Sequence, residues 1–150
     1  MDTFNIGVII AFIYIISGLM NYAGGILADS YSEKLIYVSG ILGQSILFFF
    51  LANLFSYWLI IFAFMIVAVN SSILPAENIL LARIAPSQYQ SLVYGIKFVI
   101  SFSIGPLAVF LISKSYEMTQ DFYFLYLISG VMLLFLFPLV ASLPIKRKMS

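Results

Sequence analysis

Two side chains of this sequence stand where ionisable groups are costly. Glu77 ends a stretch without any charge that begins at residue 35, and Lys97 precedes another that runs from 98 to 113. A charge among apolar spans of that length faces protein or water rather than lipid, and by default it marks a substrate path, a proton relay or a gate. Ser87 lies ten residues from each of the two. Antiparallel helices leaving a turn there would carry Glu77 and Lys97 to a similar depth, at most about 15 Å from the helix ends and so in the inner half of a bilayer. Asn70 shares a helical face with Glu77 at a spacing of seven, and Lys97 leads a row formed with Ser101. The candidates for contact with a solute or a coupling ion are therefore Asn21, Asn70, Glu77, Lys97 and Ser101. The chemistry open to them is binding a polar solute, holding a coupling proton on Glu77, or gating by charge pairing. The structural alternatives are a plain ion pair, or a Lys97 whose stem carries its ammonium to the headgroups. The chain has neither Cys nor His, which removes disulfides, thiol nucleophiles, imidazole bases and the usual soft metal sites. No metal, no cofactor and no enzymatic reaction is expected.

The elements that must position these residues follow from composition. Of the 150 residues 63% are hydrophobic and 9% charged, whereas charged residues approach a quarter of a water-soluble domain. The chain therefore reads as an all-α, polytopic transmembrane bundle forming a single domain over 1–150. Spanning helices are expected at about 4–28, 35–52, 57–84, 91–113 and 122–143. As one helix the neutral stretch 35–76 would extend about 63 Å, roughly twice the hydrocarbon thickness, so a turn is placed at Asn53, Leu54, Phe55 and Ser56. Asp29, Glu33 and Lys34 form a charged turn after the first helix, Ala85 to Gln88 a turn after the third, and Lys114 to Asp121 a polar loop after the fourth. Pro75 predicts a kink in the third helix, because it removes a backbone donor that hydrocarbon cannot replace. Asp2 stands where a secretory signal would carry positive charge, so the first apolar run is read as a span.

Five spans put the termini on opposite faces. Lys34, Arg83, Lys97, Lys146, Arg147 and Lys148 fall on one face and Lys114 alone on the other, six against one. Basic residues mark the cytoplasmic side, so the sequence predicts a multi-pass protein of the cell membrane, inner or plasma, with its amino terminus outside and its carboxyl terminus in the cytoplasm. Tyr57, Trp58, Tyr116 and Tyr123 fall at outer helix ends and Tyr31, Tyr37 and Tyr89 at inner ones, as interfacial belts require. A net charge of +1 argues against nucleic acid as a partner. The bilayer is the partner the composition demands.

Lipid tails are as apolar as Leu, so spanning helices associate through small residues and shared polar contacts. Ser17, Asn21, Gly25 and Ala28 form one such stripe on the first helix, Ser39, Gly40, Gly43 and Gln44 adjoining ones on the second, and Lys97, Ser101, Gly105 and Ala108 one on the fourth. All are expected to face into a bundle, either for packing alone or to line a path.

Gly25, Ile26, Leu27, Ala28, Asp29 and then Lys34 resemble the G-x-L-A-D-R-x-G-R-K motif between the second and third helices of major facilitator superfamily transporters, which recurs weakly between the eighth and ninth. Ser30, Ser32 and Glu33 replace its Arg, Gly and Arg, an erosion more like the second copy. Pro75, Ala76, Leu80, Ala82, Ala85 and Pro86, and later Gly95, Gly105 and Pro106, resemble the family's tenth helix, its cytoplasmic turn and its eleventh helix. The resemblance thus favours the eighth to twelfth helices. It implies a secondary transporter of twelve helices, with the solute site between two halves near the midplane and solute moved by alternating access. It also implies a conformational lock at Gly25, Asp29 and Lys34, and packing or kinking roles for Pro75, Gly95, Gly105 and Pro106. Five spans alone do not enclose such a path, so the expected partners are further amino-terminal helices of the same transporter or an oligomeric partner, together with an unidentified small solute. The reading from another class is a truncated, non-transporting membrane subunit that only packs against partner helices.

Overall fold

The computed structural model describes residues 3–53 and 57–143. Five α-helices follow one another: α1 (Thr3–Ser30), α2 (Glu33–Ala52), α3 (Tyr57–Ile84), α4 (Gln90–Thr119) and α5 (Tyr123–Ala141), with one 3-10 turn at Ser87–Tyr89 before α4. All five are long and apolar enough to cross a membrane, and no strand occurs among the described residues. The expected turn residues Leu54, Phe55 and Ser56 and the basic tail Lys146, Arg147 and Lys148 lie outside the described residues.

α2 is the hub, packed against α5 on one side and α3 on the other, while α1 packs on the far side of α3. The core is correspondingly small and centred on α2 and α3: Ile41, Leu51, Ile73, Ala76 and Leu80 are its main apolar members. The many exposed Phe, Ile and Leu side chains are the face a bilayer covers, since hydrocarbon solvates them as well as another helix would.

Close approach depends on glycine at three crossings, one of them Gly40 of α2, where a Cβ would overlap the Ile73 side chain of α3. A Cβ on Gly24 would overlap the carbonyl of Ser72 on α3, and one on Gly130 would press against the Ser45 carbonyl at 3.3 Å. Polar contacts accompany the crossings at Gly24 and Gly130. The Ser17 and Ser71 hydroxyls join α1 to α3 at 2.6 Å, and the Ser45 hydroxyl donates to the Gly130 carbonyl at 2.8 Å. Half of the stripe expected on the first helix is thereby corrected. Ser17 and Ala28 do meet α3 or are buried, but Asn21 is exposed and a side chain at Gly25 would meet nothing within 4 Å. The contact line runs through Gly24, seven residues from Ser17, because α1 crosses α3 there.

The fourth helix also differs from expectation. Lys114 to Thr119 continue α4 as helix rather than forming a loop, giving 30 residues and a length of about 45 Å, more than the hydrocarbon thickness. Nothing from Lys114 to Met118 breaks a helix. It stops at Gln120, whose left-handed backbone (φ 55°) returns its N–H to the Tyr116 carbonyl, as a C-terminal cap does. Asp121 then accepts the amides of Phe122 and Tyr123 at 2.6 and 3.2 Å and starts α5, satisfying donors that have no partner within the helix. α2 likewise begins at Glu33, two residues before the expected start. Both Pro75 and Pro106 sit inside uninterrupted helices.

Replacing Gly24 with Val forces α1 off α3 and is expected to destabilise the protein by at least about 3 kcal/mol, the upper end for overpacking. Gly25→Val is expected to leave stability nearly unchanged. Thermal unfolding of both variants in detergent micelles checks the contrast.

Candidate functional site

The α1–α2 and α3–α4 turns and the end of α5 gather at one end of the bundle, where α2 begins. There Glu33, buried against the helix ends, forms an ion pair with Arg83 of the last turn of α3. The next residue, Lys34, donates to the Leu143 carbonyl just beyond α5 at 2.7 Å. A carboxylate suits the start of a helix and a cation suits the end of one, because each complements the partial charge there. Two adjacent residues of α2 thus hold the ends of α3 and α5. The sequence leaves two readings of this turn, a conformational lock at Gly25, Asp29 and Lys34, or an exposed turn in which Glu33 and Lys34 only solvate the loop. Asp29 is exposed and has no ion pair among the described residues.

Further along the bundle, Glu77 and Lys97 meet. Lys97 Nζ lies 2.9 Å from Glu77 Oε1 and also donates to Asn78 Oδ1 at 2.7 Å. Tyr94, one turn before Lys97, donates its hydroxyl to the Asn78 carbonyl at 2.7 Å. These contacts tie α4 to α3, and α4 otherwise packs closely on none of the other four helices. At the turn Gln90 donates to the Ala82 carbonyl at 3.1 Å, closing the start of α4 onto the end of α3.

From the ion pair a polar column continues towards the bundle's middle. Gln44 of α2 donates to Asn70 of α3 at 3.1 Å. Asn70 lies seven residues from Glu77, and Gln44 seven from Tyr37, so each pair shares a helical face. The four residues therefore line up two by two. Beside the ion pair lies a cavity of about 250 Å³ walled by Tyr37, Glu77, Lys97 and the apolar side chains of Leu80, Leu81, Ile84, Val140 and Leu143. Charged and apolar walls face one another across it.

Of the residues picked from sequence, Glu77 and Lys97 line the cavity, while Asn70 is exposed and pairs with Gln44 away from it. Asn21 and Ser101 are exposed on α1 and α4 and belong to neither the column nor the cavity. Side chains added at Gly95 or Gly105 would meet nothing within 4 Å, and Pro106 is exposed, so beyond Lys97 the α4 stripe has no partner helix among the described residues. Asn78, Tyr94, Glu33 and Arg83 were missed as contact residues. Asn78 and Tyr94 stand next to Glu77 and one turn before Lys97, a signal that a search for third partners of the pair would have found. No group of His, Cys, Asp or Glu able to hold a metal ion occurs among the described residues.

A family model described as Major Facilitator Superfamily matches residues 1–148. Neither curated proteins nor solved structures give a significant match to the chain.

The two acidic residues of the first turn are expected to behave differently. Glu33→Gln leaves Arg83 without its partner and should cost about 1 kcal/mol, because the guanidinium left behind is exposed and water can solvate it. Asp29→Asn should change stability by no more than about 0.5 kcal/mol, like other surface substitutions. Unfolding midpoints in detergent distinguish the two.

Proposed function

We propose that this chain, which belongs to the major facilitator superfamily, forms the carboxyl-terminal portion of a secondary transporter, about its eighth to twelfth helices, and moves a small solute by alternating access. The observation that carries this reading is the pair of Glu77 and Lys97, ionisable groups within apolar spanning helices that together line a cavity. A bundle that needed only to pack would be served by the hydroxyl and glycine contacts between α1, α3, α2 and α5. Intramembrane ionisable groups beside a cavity support a path instead.

The family's transporters place the solute between two helix bundles near the midplane. α4 contributes no buried residue of its own, and its Ser101, Gly105 and Ala108 stripe is available to further helices. Those helices, from the same transporter or from an oligomeric partner, would complete the path. In this reading the end that holds Glu33, Arg83 and Lys34 is cytoplasmic, as the basic residues demand, and the double clasp by α2 keeps the ends of α3 and α5 together while the bundle rocks. Asp29, unpaired among the described residues, is left for a lock partner on the other half.

Orientation is tested with single thiols, for which the chain has no background because it lacks Cys. Asn53→Cys is expected to react with a membrane-impermeant reagent added to intact cells and Ser32→Cys is not. The reverse pattern contradicts the orientation.

Transport is tested in sealed vesicles from cells producing the protein, loaded with a mixture of polar metabolites and followed by mass spectrometry of the medium. At least one solute should leave only when the protein is present, and Glu77→Gln should slow its exit at least tenfold while membrane insertion stays normal. If no solute moves, the protein is a non-transporting subunit that packs against partner helices.

A further inference from the structure

The cavity beside Glu77 and Lys97 has unused hydrogen-bonding capacity of both signs. An ammonium carries three donors. Lys97 spends one on Glu77 Oε1 and one on Asn78 Oδ1, leaving a third. Glu77 engages Lys97 through Oε1, and its Oε2 has no hydrogen-bond partner among the described residues. Tyr37, on the same wall, offers a phenol that also lacks a partner there. The remaining walls are five aliphatic side chains, Leu80, Leu81, Ile84, Val140 and Leu143, and the volume of this open cavity is about 250 Å³, below the usual range for drug-sized ligands, about 300–1,000 Å³.

We infer that this cavity binds a small zwitterion carrying an ammonium and a carboxylate on one carbon next to an apolar side chain, that is, an apolar α-amino acid or a close analogue. The inference rests on the reading of the Glu77–Lys97 column as facing solute, and it names the solute's class. The zwitterion's ammonium donates to Glu77 Oε2 and its carboxylate accepts the third Lys97 proton. The two protein groups lie 2.9 Å apart, so a ligand whose opposite charges are neighbours can reach both. Its side chain lies against the aliphatic wall.

Charge balance selects this class over singly charged solutes. The pair is neutral overall, and a zwitterion keeps the site neutral. A lone cation or anion adds one uncompensated charge at membrane depth, which is costly. An uncharged apolar molecule fits the wall but brings no group for Lys97 or Glu77, so nothing fixes its orientation.

Equilibrium binding to the full-length protein in lipid nanodiscs, read by scintillation proximity with labelled L-leucine, L-methionine and L-phenylalanine, tests the site. At least one of the three is expected to bind. For leucine, 3-methylbutylamine, which lacks the carboxylate, and 4-methylpentanoate, which lacks the ammonium, should compete at least tenfold more weakly than leucine itself; for methionine or phenylalanine the corresponding amine and acid should do the same. The double variant Glu77→Gln/Lys97→Met should unfold at a temperature no lower than that of the worse single variant and still insert and fold, yet bind at least tenfold more weakly. Absence of binding by all three amino acids, equal competition by the singly charged analogues, or undiminished binding to the double variant overturns the inference. Binding is measured apart from flux. Solute exit without zwitterion binding removes this site and leaves transport standing, whereas zwitterion binding without any flux keeps the site and removes transport.

Discussion

In hydrocarbon an apolar side chain gains nothing by leaving lipid for another helix, so what holds spanning helices together has to come from close backbone approach and from polar groups that would otherwise stay unsatisfied. The geometry of this bundle follows that constraint. α1 and α3 touch where Gly24 lets the Ser72 backbone approach and where the Ser17 and Ser71 hydroxyls are joined by a hydrogen bond. α2 and α5 touch where Gly130 exposes its carbonyl to Ser45. The aliphatic and aromatic residues that make up most of the chain are left to lipid. α4, which has neither a glycine crossing nor a buried residue, is held to α3 by Asn78, Glu77 and the turn alone.

The two ion pairs differ in what surrounds them. Glu33 and Arg83 join the first turn of one helix to the last turn of another at the bundle's end, with the Glu33 side chain 7% exposed; both charges sit where helix termini already favour them. That pair fastens. Glu77 and Lys97 lie inside their helices, are more exposed on the carboxylate side at 30%, and border a cavity rather than packed protein. Open valence beside open space is what a binding site needs and a fastener lacks. The same chain thus separates a fixed end, where α2 clasps α3 and α5, from a second ion pair that borders a cavity.

The spans were legible because charge is excluded from hydrocarbon: four long uncharged stretches and the arithmetic of helix length place all five helices within a few residues. The Glu77–Lys97 pairing was legible for the same reason, through equal spacing from the turn at Ser87. What periodicity does not carry is the angle at which helices cross. The stripe of Ser17, Asn21 and Gly25 was a correct face count, yet the crossing selected Gly24, its immediate neighbour. The extension of α4 past Lys114 was hidden because polar residues read as loop, whereas nothing there breaks a helix before the left-handed Gln120. Glu33 and Arg83 were hidden because each taken alone is an ordinary end-of-helix charge, and only the packing of α2 against α3 brings them together.

The claim on which the rest turns is that Glu77 and Lys97 answer one another at membrane depth. A double-mutant cycle on unfolding free energy in micelles measures this directly, using Glu77→Gln, Lys97→Met and both together. Mutual dependence predicts that each single substitution destabilises the protein and that the double variant is no less stable than the worse single one, because one partner left alone is worse than neither. Losses that simply add would show the two charges to be independent and would remove the site.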